Sequence, residues 1–222
     1  METSQTFQTK EEYAYQALRK AIIHCDLKPG DKLVIDRLSV DLGISQIPIR
    51  SAMQRLQAEG LVVITPHSGA VVAELPPEKV DEIFALLAAL EQVALRLTAG
   101  AAHAADLDAL ATLIGSMDAA AQQGDAEGWL TGNIRFHRKI AEMSGMPLLM
   151  EFTNRTLDEW ERLSHCYFPR VASERMLQAQ AEHREMLSYL RSGEIDRLVI
   201  LTGTHNRHAH ENYRRLLKEE TI

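Results

Sequence analysis

Cysteine, proline and aromatic residues are scarce in this 222-residue chain, which has two cysteines, seven prolines and 5% aromatics. Cys25 and Cys166 fall in different expected domains and match no metal-ligand spacing, so both are read as reduced thiols of a cytoplasmic protein. No apolar run approaches the roughly 20 residues that span a bilayer, and no membrane partner is expected. The opening residues, Met1 to Thr6, show neither the positive start nor the apolar stretch of a signal peptide. A basic excess is missing too: the net charge is −7, so charge alone does not suggest nucleic acid. Also absent are a His-Glu-x-x-His pair, a Ser or Cys nucleophile motif and a glycine-rich phosphate loop, the sequence signatures of several enzyme classes. The 45% hydrophobic content is enough for two modest domains with real cores.

The acidity is uneven. Up to residue 74 there are 8 Lys/Arg and 9 Asp/Glu, whereas the remainder has 16 and 22. Between residues 37 and 55, Arg37, Arg50 and Arg55 outnumber Asp41. Such a footprint gives few phosphate contacts, and a dimer would double them.

That basic window overlaps the most informative segment, Leu42 to Gly69. It holds a glycine turn, a helix starting at Ser45, a second glycine stop at Gly60 and a short apolar hairpin. The layout is that of a winged helix-turn-helix, which places one helix in the DNA major groove. A first helix is expected from Thr9, whose spacing to Glu12 makes a capping box, with Tyr15, Leu18 and Ile22 on one face. Lys28-Pro29-Gly30-Asp31 reads as a turn, and a short helix follows over about Ile35 to Leu42, stopped by Gly43. Ser45 caps the third helix, with Pro48 tolerated in its first turn. Ile49, Met53 and Leu56 form its buried stripe, leaving Gln46, Ile47, Arg50 and Gln54 outward. Leu61 to Ile64 and Ala70 to Val72 read as two strands around Thr65-Pro66-His67-Ser68-Gly69. A recognition helix reads bases with its first residues, here Ser45, Gln46, Ile47, Pro48 and Arg50. Arginine can pair with guanine and glutamine with adenine. On an arbitrary helix the same arginines would be a solvated face; this turn-helix-hairpin frame favours DNA.

Leu75-Pro76-Pro77 marks a boundary, giving domains 1–74 and 75–222. The second domain reads as all helical, with helices near 78–101, 106–123, 125–144, 147–164, 174–191 and 194–219. Gly124, Gly145-Met146-Pro147, Phe168-Pro169 and Ser192-Gly193 punctuate them. Alanines between Ala85 and Ala121 would let helices pack closely in an antiparallel bundle. The fold class is therefore mainly α.

Nine histidines invite a metal reading, and spacing tests it. Asn133 and His137 share a helix face, four residues apart. His183 lies on the next-to-last helix, and His205, His208 and His210 lie on the last. An ion held by Asn133, His137, His183 and one of His205 or His208 would link three helices; otherwise these are ordinary core or surface histidines. Imidazoles and an amide oxygen suit Zn²⁺, Ni²⁺, Mn²⁺ or Fe²⁺. Such an ion could also activate water, so a metal-dependent enzyme is an alternative reading, as is a module with a purely structural metal. Against the enzyme, no well-placed general base accompanies the set; Glu142 lies a little over one turn beyond His137.

From Tyr15 to Val72 the chain resembles the winged helix-turn-helix of the GntR family of bacterial regulators. The matching stretches are Leu18-Arg19-Lys20-Ala21-Ile22, Leu27-Lys28-Pro29-Gly30-Asp31-Lys32-Leu33, Leu42-Gly43-Ile44-Ser45, Pro48-Ile49-Arg50 and Leu56-Gln57-Ala58-Glu59-Gly60-Leu61-Val62. The resemblance implies contacts with a double-stranded DNA operator at Arg37, Ser45, Gln46, Ile47, Arg50 and a wing from His67 to Gly69. The family usually has Arg at the position of Gln46 and Thr at that of Ile47. Guanine readout at one operator position is therefore not implied, and Ile47 offers an apolar contact to a thymine methyl.

Residues 78–215 resemble the ligand-binding domain of the FadR subgroup of that family, the FCD domain. Its signature is Asp or Asn four residues before a His, then one His on each of two later helices. Asn133-Ile134-Arg135-Phe136-His137, Glu182-His183-Arg184 and Thr204-His205-Asn206 match it, and the match selects His205 over His208. The resemblance implies a homodimer, a bound divalent metal, a small organic-acid effector and repression relieved by that effector. Asn133 stands where aspartate is usual, so the ion's double charge is kept in full. Leu87 stands where the family commonly has an arginine that anchors the effector, while Glu91 is retained. Arg135 or Arg138 is the expected substitute cation.

Overall fold

Thr9 opens the first helix, its hydroxyl accepting the Glu12 backbone N–H at 3.1 Å. The geometry comes from a computed structural model that describes residues 9–66, 68–98 and 102–220, with side chains except at 77, 167–174 and 216–220. The chain forms two compact units, Met1–Leu75 and Pro76–Ile222.

In the first unit, α1 (Lys10–Ile23), α2 (Ile35–Leu42) and α3 (Gln46–Ala58) accompany three short strands, β1 (Lys32–Leu33), β2 (Val62–Thr65) and β3 (Gly69–Val72). The sheet order is β1-β3-β2, all antiparallel, with Val62 opposite Val72 and Leu33 opposite Ala70. The two expected strands are present, and β1 is an addition: two residues are too few for alternation to reveal. Leu18 and Ile22 of α1 meet Ile49, Met53 and Leu56 of α3, with Leu33, Val62 and Val72 below them. Each such side chain contributes about 1.5–3 kcal/mol by burial. Leu38 and Leu42 hold α2 against the same core.

The second unit is a bundle of α4 (Pro77–Thr98), α5 (Ala104–Gln123), α6 (Ala126–Met143), α7 (Pro147–Ser192) and α8 (Ile195–Glu220). Asp125 caps α6 by accepting the Gly128 N–H at 2.9 Å, and left-handed Gly124 and Gly193 end α5 and α7. The expected break at Phe168-Pro169 does not occur: the helices expected at 147–164 and 174–191 are one 46-residue helix. An interior proline costs about 3 kcal/mol. Packing on both sides offsets it, because Leu157, Leu163, Ala179 and Met186 of α7 all lie in the core. Close approach of α5 and α6 depends on Gly132, where a Cβ would stand 2.5 Å from Met117 Cγ. Among the described residues, no helix is long and apolar enough to cross a membrane. Neither cysteine is a free thiol, so the expectation of two reduced thiols is not met.

Candidate functional site

The first unit turns one face of α3 outward. Gly43, with φ 64°, takes the left-handed conformation that ends α2, and Ile44 N–H returns to Ser39 C=O at 3.2 Å. This sharp turn sets α3 against α2. Ser45 sits at the N-cap with extended backbone, but its hydroxyl makes no capping hydrogen bond, contrary to the side-chain cap expected. Gln46, Ile47, Arg50 and Gln54 are all exposed, Ile47 at 76%. An isoleucine this exposed at a helix N-terminus contributes nothing to the core. Gln46 donates to Asp36 Oδ1 at 2.5 Å, and Arg50 reaches toward Gln46 Oε1 at 3.5 Å. Arg37 is exposed beside Asp41, 3.7 Å away.

Arg55 has a different role from Arg50. It donates to Glu12 Oε2 at 2.7 Å and stacks 3.8 Å over the Tyr15 ring, tying α3 to α1. Its charge is therefore engaged internally, and the outward basic set of this window is Arg37 and Arg50. Ser68 and Gly69 are exposed at the hairpin tip, and Gly69 has φ 95°. His67 lies outside the described residues. Between hairpin and α3 runs a groove of about 530 Å³, lined by Asp36, Arg50, Gln54, Thr65, Ser68 and Gly69 among others.

The second unit buries polar groups in the middle of its bundle. His137 on α6, His183 on α7 and His205 on α8 each offer a ligand atom, all within 4.8 Å of one another. All three rings are at least 96% buried. Each ring's Nδ1 is engaged. His137 Nδ1 meets Glu91 Oε1, and His205 Nδ1 meets Glu182 Oε2 at 2.7 Å. His183 Nδ1 lies 3.0 Å from Gln180 Oε1. Gln180 donates its amide protons to Ile114 C=O at 3.2 Å and Asp118 Oδ1 at 2.6 Å. Its oxygen can only accept, so His183 donates from Nδ1 and carries a lone pair on Nε2. Among the described residues that buried Nε2 has no hydrogen-bond partner, nor has Oδ1 of Asn133, one turn before His137 on the same face of α6. Buried acceptors are rarely left unpaired, so both atoms are suited to a cation.

Electrostatics agree with ligand chemistry. Burial pushes the His183 imidazole well below its usual value, and burial also lowers that of His205 against the pull of Glu182. Neutral imidazole is the form that binds metal. Burial works to raise Glu182, but hydrogen bonds from His205 and Arg175 win and hold it well below the usual carboxylate range. For Glu91, the charge and hydrogen bond of His137, with one from Asn206 at 2.7 Å, likewise overcome burial. Each carboxylate thus orients a histidine from behind, the arrangement common at metal-ligating rings.

Sequence reasoning named Glu91 as an effector contact but missed the rest of this supporting layer. Arg175 grips Glu182 through two hydrogen bonds of 3.1 and 2.6 Å. The available signal was their spacing of seven, which puts opposite charges on one helix face two turns apart. His208 pairs with Glu182 at 2.9 Å outside the three-ring cluster. Glu91 lines a cavity beside the cluster with Phe84, Leu87, His137, Trp160, His205, Asn206 and Ala209. The two expected substitute cations are not brought there. Arg135 is exposed on the opposite face of α6, and Arg138 pairs with Asp158 at 2.5 Å and Glu161 at 3.4 Å on α7.

Comparison with known proteins places both units. Residues 10–72 match the family described as bacterial regulatory proteins, gntR family, and residues 82–208 match the FCD domain. An uncharacterised HTH-type transcriptional regulator of Agrobacterium vitis is 33% identical over 130 residues, covering 57% of this chain and 76% of that protein. The HTH-type transcriptional repressor RspR of Escherichia coli K12 is 22% identical over 207 residues, covering 93% and 90%. The solved structure of E. coli McbR/YncC has the same fold, with TM-score 0.80 at 21% identity over 93% of this chain and 98% of that one. These relatives are regulators and not enzymes, which sets the water-activating alternative aside. The winged helix-turn-helix, the helical bundle and the matched residues together identify this chain as a transcriptional regulator of the GntR family with an FCD domain.

Proposed function

We propose that the chain acts as a homodimeric repressor in the bacterial cytoplasm, released from a two-fold operator when a small carboxylate binds beside a divalent metal in the helical unit. The observation that carries the metal reading is the pair of buried, unpartnered acceptors, His183 Nε2 and Asn133 Oδ1. Asn133, His137, His183 and His205 would hold the ion, joining α6, α7 and α8. Zn²⁺, Ni²⁺, Mn²⁺ and Fe²⁺ all suit three imidazoles and an amide oxygen. When bound, the ion supplies positive charge and open coordination positions for an anionic ligand. Glu91, Glu182 and Gln180 hold the rings in the ligating tautomer. Of the expected effector contacts, Glu91 borders the cavity next to the histidine cluster and stays in this reading. Arg135 and Arg138 are replaced in it by the ion itself as the counter-charge.

On DNA, Arg50, Gln46 and Ile47 would read bases, while Arg37, Ser45 and the wing from His67 to Gly69 would contact backbone or groove. Two outward arginines per copy are few, which favours two copies on one site. Leu86, Val93 and Leu97 form an exposed apolar stripe on one face of α4, suited to a second copy. The repressor sense follows RspR, named a repressor. Selection of bound genomic fragments, followed by fluorescence anisotropy on the recovered site, tests the reading. A palindromic site occupied by two chains is expected; a single half-site bound by one chain would overturn the dimer.

A further inference from the structure

The cavity beside the histidine cluster says what the ligand's body must be like. Phe84 and Leu87 of α4, Trp160 of α7 and Ala209 of α8 give it apolar walls. Its polar lining is Glu91, His137, His205 and Asn206, and among the described residues no lysine or arginine lines it. Glu91 is thus the one acidic side chain on the wall, and it is 1% exposed. A carboxylate placed away from the ion would meet no cation there and would face this buried anion. Burying a charge without a partner is strongly unfavourable.

Among the described residues the ion is thus the one positive partner this cavity offers a ligand, and one carboxylate satisfies it. We propose that the ligand is a short monocarboxylate with an apolar body, and that Leu87 selects it against dicarboxylates. The inference rests on the metal-bound effector reading above. The cavity volume is only about 10 Å³, room for one water-sized group, so the ligand body must displace Phe84, Leu87 or Trp160 to enter.

The test uses full-length protein loaded with one Zn²⁺ per chain, confirmed by elemental analysis. Calorimetric titrations with butyrate and with succinate compare two acids of equal carbon number. Butyrate is expected to bind at least fivefold more tightly, and Leu87→Arg to reverse that order. Equal or tighter binding of succinate by the wild type overturns the selectivity while leaving a metal-bound effector intact. If Zn²⁺ loads and neither acid binds, the carboxylate reading itself falls, and the inference with it. The wild-type comparison decides the matter even if Leu87→Arg does not fold.

Discussion

Arg50 and Arg55 lie five residues apart on one helix and do different work. Arg50 is exposed and reaches only toward Gln46, whereas Arg55 is fixed to Glu12 and Tyr15. Arg50→Ala is expected to weaken specific operator binding by roughly 1–3 kcal/mol, the worth of one paired base contact. Arg55→Ala should instead lower the melting temperature and leave sequence preference unchanged. Anisotropy titrations on specific and scrambled DNA, beside thermal melts, separate the two. In the proposed metal site, Glu182 would act through His205. Glu182→Gln removes an anchor behind a ligating ring and should weaken metal affinity about 10–100-fold, the usual effect of such partners. Competition against a chromophoric chelator measures it, and an unchanged affinity would reduce Glu182 to a packing role. Only the seven-residue spacing of Arg175 and Glu182 hinted at this layer, because Gln180, Glu182 and Arg175 matter through what faces them in space. The shared face of Asn133 and His137 was legible, since a four-residue spacing fixes it whatever the tertiary fold.

Elements were read best where one periodicity dominates. In α3, Ile49, Met53 and Leu56 bury one stripe while Gln46, Ile47 and Arg50 stay outside, as their spacing dictates. Two short-range signals misled. β1 is too brief to alternate, and its pairing with β3 is a long-range event. Pro169 announces a helix end, yet α7 runs through it because core residues hold the helix on either side. A local rule worth about 3 kcal/mol loses to several buried side chains each worth about 1.5–3 kcal/mol. The α5–α6 contact offers a check on packing at this scale. Gly132→Ala pushes a methyl into Met117, which is fully buried, and should cost about 1–3 kcal/mol in urea unfolding. A neutral or stabilising result would mean that Met117 can move aside.

Across the whole molecule, chemistry is divided between two units, and the chain's tryptophans allow them to be observed separately. Both tryptophans, Trp129 and Trp160, lie in the helical unit, so intrinsic fluorescence reports that unit alone. An ion bound only by the folded state at 100 times its Kd stabilises by about 2.7 kcal/mol. Chelation should therefore lower the fluorescence-detected melting temperature by on the order of 5–10 °C. The proposed dimer gives a second prediction at this scale: Val93→Glu places a charge in the exposed α4 stripe and should yield monomers in sedimentation, with weakened operator binding. The proposed control of DNA binding by an effector depends first on whether the buried histidines hold an ion. Elemental analysis of dialysed wild-type and His183→Ala protein addresses this directly. The account predicts close to one divalent transition-metal ion per wild-type chain and its loss in the variant. A metal-free wild type, or equal content in both, would contradict it.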